Sequence, residues 1–156
     1  MINVAFDKLT EEQLNGLAEM AGEIASGLEI FLLSGDLGAG KTVFAKAFAK
    51  GYGVDQHITS PTFTLLNSYQ TQKGAMVHLD LYRIEDPDEV AYLAIDEYYD
   101  EALVLIEWPE RLPELPTHFI RVEITVVEID KRDIKLQAHG VEEEKLLKEL
   151  AESCLF

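Results

Sequence analysis

Ile30-Phe31-Leu32-Leu33-Ser34-Gly35-Asp36-Leu37-Gly38-Ala39-Gly40-Lys41-Thr42 is the stretch on which the reading of this chain turns. Its first four residues form a continuous apolar run, as in a strand covered on both faces. The next eight after Ser34, Gly35–Thr42, match G-x-x-x-x-G-K-[ST] in full. Glycines let the backbone close around phosphate, because no side chain collides with it. Several N–H groups then point inward as an anion nest. The helix that follows adds the positive end of its dipole. In such a loop Lys41 supplies a point charge to phosphate, and the Thr42 hydroxyl is placed to bind Mg2+. An apolar strand before the loop and an amphipathic helix after it separate this pattern from a chance glycine-rich turn. The residues expected to bind the nucleotide are Asp36, Leu37, Gly38, Ala39, Gly40, Lys41, Thr42 and Val43.

Outward from the loop, Val43–Tyr52 reads as that helix, burying Phe44, Ala47 and Phe48 and ending near Gly51 and Gly53. Upstream, Thr10 followed by Glu11-Glu12-Gln13 has the form of a capping box. Leu14, Leu17, Ala18, Ala21, Ile24 and Ala25 recur at helical spacing, and Gly27 is placed to end that helix. Downstream, Leu65–Gln70 and Ala75–Leu81 read as two strands joined by a turn containing Gly74. Asp88–Tyr98 reads as one helix with Pro87 at its start. Leu103–Ile106 is a second fully apolar strand, followed by a loop marked by Pro109, Pro113 and Pro116. Phe119–Glu128 alternates, with Ile120, Val122, Ile124 and Val126 on one face. Ile134, Leu136 and Ala138 repeat the alternation after a charged turn, so the pair predicts a hairpin. Val141–Leu150 closes the chain as an acidic helix with Leu146, Leu147 and Leu150 as its buried stripe. The expected architecture is α/β: a three-layer P-loop NTPase fold with a mostly parallel central sheet, extended by a C-terminal antiparallel hairpin. Residues 1–156 are expected to form a single P-loop ATPase domain.

The composition excludes several classes. A chain of 156 residues with 47% hydrophobic and 27% charged residues reads as an ordinary soluble globular protein. Its apolar runs are far shorter than the roughly 20 residues that cross a bilayer. The N-terminus shows no basic region followed by a long apolar stretch, so no signal peptide is expected. Cys154 stands alone, which rules out an internal disulfide and fits a reducing, cytoplasmic location. A net charge of −16 repels nucleic-acid phosphates and anionic membranes. Any RNA in the pathway is therefore expected to be held by another protein; the charge itself reads equally as a device for solubility or as the complement of a basic partner surface.

Hydrolysis needs a metal anchor and a group that orients the attacking water. Mg2+ demands hard oxygens, which points to carboxylates. Glu107 ends the apolar strand, at the edge of the sheet where ligands gather in open α/β folds. Asp80 is the second candidate. Strand alternation puts His78, Asp80 and Tyr82 on one face and Val77, Leu79 and Leu81 on the other. The residues alone leave open which acid binds metal and which orients water. Ser60-Pro61-Thr62 is a stiffened loop in which Thr62 can present its hydroxyl as switch loops do. An ordinary capped turn reads equally well there. Trp108 adjoins Glu107, and Arg83 and Arg111 lie close to these motifs. No N-K-x-D element for guanine is present, so ATP is preferred over GTP by default.

Taken in order, these motifs resemble the TsaE (YjeE) family, small P-loop ATPases of threonylcarbamoyladenosine (t6A) biosynthesis in tRNA. The resemblance rests on Leu32–Thr42, then Ser60-Pro61-Thr62-Phe63-Thr64-Leu65, His78-Leu79-Asp80-Leu81-Tyr82-Arg83 and Ile106-Glu107-Trp108, over roughly residues 10–112. It implies that Lys41 and Thr42 bind phosphate and Mg2+ and that Thr62 lies in a switch-like loop. It also implies that Asp80 and Glu107 are the acids for metal and water, and that Trp108 lies beside the nucleotide. The implied catalytic group is thus Glu107, Lys41, Thr62 and Asp80, with Thr42, Asp80 and Glu107 as metal ligands. Implied partners are TsaD-like and TsaB-like proteins, with tRNA reached only through their complex and no membrane. One departure stands out: Ala94 occupies a place where a glycine is expected. Alanine suits a helix, which predicts no change of fold. A small-molecule P-loop kinase and a nucleotide-gated binding module are the rival readings.

Overall fold

Thr10 caps the first helix as its sequence predicts. Its hydroxyl accepts from the Gln13 amide at 3.2 Å, and Gln13 Oε1 accepts from the Thr10 amide at 2.9 Å. The computed structural model describes residues 2–61 and 64–154. Their elements run β1 (Ile2–Leu9), α1 (Glu11–Ile24), β2 (Ile30–Ser34), α2 (Lys41–Tyr52), β3 (Leu66–Thr71) and β4 (Gly74–Asp80). There follow α3 (Asp88–Ala91), α4 (Ile95–Tyr98), β5 (Ala102–Glu107), β6 (Phe119–Glu128), β7 (Lys131–His139) and α5 (Val141–Ser153), with a 3-10 turn at Pro109–Arg111.

The strands form one seven-stranded sheet in the order β1-β7-β6-β2-β5-β4-β3. The centre is parallel: β2 lies between β5 and β6, and β4 pairs with β5. The β6–β7 hairpin and the β3–β4 hairpin add antiparallel strands on either side. This is the expected sheet with one addition. Strand β1 pairs with β7, matching Ile2 to Ala138 and Phe6 to Ile134. Its sequence carries only the short alternation Ile2, Val4, Phe6, which is half-buried and gives a weak signal.

Helices cover both faces of the sheet. On one face α1, α2 and α5 pack over Phe31, Leu33, Leu103, Leu105, Ile120 and Val122. Phe44, Phe48 and Tyr52 stack at successive i, i+4 positions along α2, with ring centroids 6.4 and 6.3 Å apart. Phe31 of β2 meets Phe48 edge-on at 4.7 Å. Helices α1 and α2 approach so closely that a Cβ at Gly51 would run into the Glu19 backbone. Helix α1 stops at Ile24, before Gly27. The Lys73 ammonium, at the tip of the β3–β4 turn, accounts for its end by donating to the carbonyls of Gly22, Glu23 and Ala25.

The other face holds a smaller core of Leu32, Val77, Leu79, Leu81, Val104 and Ile106. Here the expected single helix over Asp88–Tyr98 is two four-residue pieces, α3 and α4. The break is at Ala94, whose backbone is left-handed (φ 49°). The alanine therefore adopts the conformation that favours glycine, and the expectation of an unbroken helix there is corrected. Val126 also departs from expectation. It is exposed near the end of β6, past the reach of the helical layer.

Candidate functional site

Strand β2 runs into the loop 35–40, and α2 starts at Lys41. Gly35 turns the chain there with φ 153°, and a Cβ on it would lie 2.6 Å from the Ile124 carbonyl oxygen of β6. Arg132 of β7 braces the far end of the loop, its Nε donating to the Ala39 carbonyl at 2.8 Å. The Ala39 side chain points into the core, so Ala39 offers a ligand its backbone.

Lys41 is buried at 5% exposure, and its ammonium folds back over the loop. It donates to the carbonyl oxygens of Gly35 and of Asp36, the latter at 3.0 Å. It also stands 4.1 Å from the centroid of the Trp108 ring. Burial pushes the Lys41 ammonium below the usual lysine value, opposed by the charges of Glu107, Glu110, Asp80 and Asp36. Trp108 itself is left-handed (φ 61°), a strained conformation that turns the chain sharply after β5.

The two acids arrive on neighbouring strands. Asp80 ends β4 and Glu107 ends β5, and they are direct partners in the parallel ladder. Alternation puts Met76, His78 and Asp80 of β4, and Leu103, Leu105 and Glu107 of β5, toward the α2 side of the sheet. Asp80 is 5% exposed and Glu107 2%. The Thr42 hydroxyl donates to Glu107 Oε1 at 3.0 Å, with Oε2 at 3.3 Å. From beneath, the imidazole Nε2 of His78 lies 2.7 Å from Glu107 Oε2. Asp80 Oδ1 accepts from the Tyr82 amide at 3.0 Å, and the Tyr82 ring leans on Trp108 with centroids 5.0 Å apart.

These groups line one open cleft of about 280 Å³ at the C-terminal edge of β4, β5 and β2. Leu37, Gly38, Gly40, Lys41, Thr42, Val43, Asp80, Glu107 and Trp108 all border it. A second, larger cleft lies on the β6–β7 side of the loop, shares Gly38, Gly40 and Val43 with the first, and adds Ala39. Asp36 is exposed beside the loop and borders neither. Arg83 and Arg111 do not line the first cleft, and Arg111 is spent on the Ile84 carbonyl. Thr62 lies outside the described residues. The loop carrying it is tied to β3 by Asn67 Nδ2, which donates to the Thr59 carbonyl at 3.2 Å, and it leads to Leu65, whose carbonyl accepts from the Asp80 amide at 3.0 Å.

The donor set fits Mg2+. That ion keeps several waters and takes one or two carboxylates plus phosphate oxygens, without a dedicated protein cage. Two carboxylates and a hydroxyl bordering a phosphate-sized cleft meet this description. Among the described residues no cluster of three or more His, Cys, Asp or Glu side chains is arranged to hold a metal alone. Among the same residues no helix is long and apolar enough to cross a membrane.

Comparison with known proteins finds relatives that span most of the chain. The family model described as threonylcarbamoyl adenosine biosynthesis protein TsaE matches residues 9–134. The tRNA threonylcarbamoyladenosine biosynthesis protein TsaE of Aquifex aeolicus (strain VF5) is 40% identical over 129 residues, covering 81% of this chain and 90% of the relative. Its counterpart in Bacillus subtilis (strain 168) is 36% identical over 142 residues, covering 90% and 89%. The crystal structure of Bacillus subtilis YdiB superposes with a TM-score of 0.78 at 30% identity, over 97% of this chain and 96% of that one.

Proposed function

The chain belongs to the TsaE family of tRNA threonylcarbamoyladenosine biosynthesis proteins, and on that premise we propose that it binds and hydrolyses Mg-ATP in a complex with TsaD-like and TsaB-like partners. The observation that carries this reading is the bond of the Thr42 hydroxyl to Glu107, in a cleft that Lys41 and Asp80 share. Phosphate-loop side chains and strand-terminal acids, far apart in sequence, border one space.

In the proposed scheme the amides of residues 36–42 cradle the phosphates, aided by the α2 dipole. The Lys41 ammonium swings from the Gly35 and Asp36 carbonyls to the β- and γ-phosphates. Thr42, Asp80 and Glu107 hold the magnesium ion, which supplies charge neutralisation at the phosphates. Glu107 also orients the attacking water, and its low exposure keeps competing water away. Trp108 closes one wall over Lys41. The base and ribose are assigned to the second cleft, because it is continuous with the first through Gly38, Gly40 and Val43. Thr62 is proposed to approach the γ-phosphate as a switch residue.

The net charge of −16 supports a role for this chain beside a partner that handles tRNA. Steady-state Mg-ATP hydrolysis, measured on the protein alone and then with purified TsaD- and TsaB-like proteins, tests the proposal. Slow turnover that rises clearly in the mixture is expected. Fast turnover alone, with no response to partners, would leave only a generic P-loop phosphotransferase.

A further inference from the structure

His78 has no part in that scheme, yet it is the most deeply placed polar side chain near the cleft, at 0% exposure. We propose that His78 is a positioning residue that sets the Glu107 carboxylate for its work at the cleft, an inference that rests on the hydrolase reading. The carboxylate is gripped at both oxygens. Thr42 Oγ1 reaches Oε1 at 3.0 Å from α2, and His78 Nε2 reaches Oε2 at 2.7 Å from β4. A carboxylate accepts, so Nε2 carries the proton. A hydroxyl at the Thr42 position of such loops is a magnesium ligand. Once Thr42 is so engaged, the His78 contact is the anchor that Glu107 keeps.

The rest of the ring shows that packing is not its purpose. His78 Nδ1 is buried and has no hydrogen-bond partner among the described residues. On the same face of the sheet its neighbours are the apolar Met76 along β4 and Leu103 and Leu105 on β5, with Asp80 next along β4 and Asn67 opposite it on β3. A leucine or methionine would fill that volume and leave no nitrogen orphaned. Buried polar groups are almost always paired, so a retained exception calls for a reason. The contact made by the opposite nitrogen, 2.7 Å from Glu107, supplies it. Groups that orient metal and water ligands in this manner change affinity or rate by about tenfold to a hundredfold when removed.

The test compares wild type with His78→Leu, which keeps volume without a donor, and His78→Gln, whose amide restores an N–H near the Nε2 position. Calorimetry gives the affinity for ADP with and without Mg2+, and hydrolysis in the partner mixture gives kcat and KM. Without Mg2+ the three proteins are expected to bind ADP within about threefold. The tightening of ADP binding by Mg2+ is expected to shrink about tenfold in His78→Leu, with kcat down at least about tenfold and KM for Mg-ATP raised in step with the lost Mg2+ effect. His78→Gln is expected to recover most of both. If His78→Leu does not fold, His78→Asn, too short to reach Glu107, takes its place. A wild-type Mg2+ effect and kcat in the donorless variant would overturn the inference. So would a His78→Gln protein as impaired as His78→Leu. Wild type that shows no Mg2+-linked ADP binding would instead strike the hydrolase reading itself.

Discussion

The two faces of the sheet are built to different standards. One carries three helices of 14, 12 and 13 residues, with α2 anchored by a continuous aromatic ladder. The other carries two four-residue pieces hinged at a left-handed alanine, with Tyr92 90% exposed between them. Lys41, Thr42, His78, Asp80 and Glu107 all project on the heavily covered side. The thicker layer therefore holds the groups proposed to do the chemistry, where a site needs its side chains placed to about half an ångström. The thin layer has few buried contacts, the property of segments that open at low cost.

The sharpest way to break this contrast is to truncate one aromatic on each side. Phe48→Ala should cost about 3–5 kcal/mol in denaturant unfolding, because it opens a cavity under α2. Tyr92→Ala should stay within about 0.5 kcal/mol. Equal losses would mean the thin layer is as well anchored as the thick one. Next in size is Glu107→Ala, expected to lower kcat for Mg-ATP about a hundredfold or more while ATP affinity measured without Mg2+ stays within about threefold. Normal turnover by that variant would remove Glu107 from the chemistry.

Ala94→Gly asks whether the hinge is real. Relief of left-handed backbone strain should stabilise the protein by about 0.5–1 kcal/mol. A continuous helix over 88–98 would instead be weakened by a similar amount, so the sign of the midpoint shift decides. The smallest effect concerns Tyr99, at the end of α4. Its phenol is pushed up to about 12 by burial, with Asp96 and Glu114 adding to it. The folded chain then keeps a proton that the unfolded chain sheds near the ordinary value of 10.0. That contribution is whole below pH 10.0 and is lost as the pH rises toward 12. Tyr99→Phe should flatten this stretch of the stability curve and leave it unchanged near neutrality.

What the sequence made legible follows the same division. The strand–loop–helix at 30–52 was readable because every determinant is local: apolar run, glycines, Lys41, Thr42 and helical spacing. Glu107 was readable as an acid at a strand end and Asp80 as an acid on an alternating polar face, although which strands are neighbours is a matter of tertiary pairing. His78 was ambiguous, since alternation put it on a polar face that could equally have met solvent. Only the helix layer above β4 makes that face an interior. The break at Ala94 was misread because alanine signals helix, and the hinge is imposed by packing of Val90 and Ile95 against the sheet. Strand β1 was missed for a related reason: its partner lies at the opposite end of the chain.

That pairing has a consequence for how the protein is made. Strand β1 leaves the ribosome before the other described elements, and its neighbour β7 begins at Lys131. The loop, α2 and the parallel strands β2, β4 and β5 can associate while synthesis continues, but β1 must wait for nearly the whole chain. Until then its unpaired edge invites pairing with other chains. The half of the fold that carries the loop and α2 is thus available early, and the β1–β7 edge is completed late.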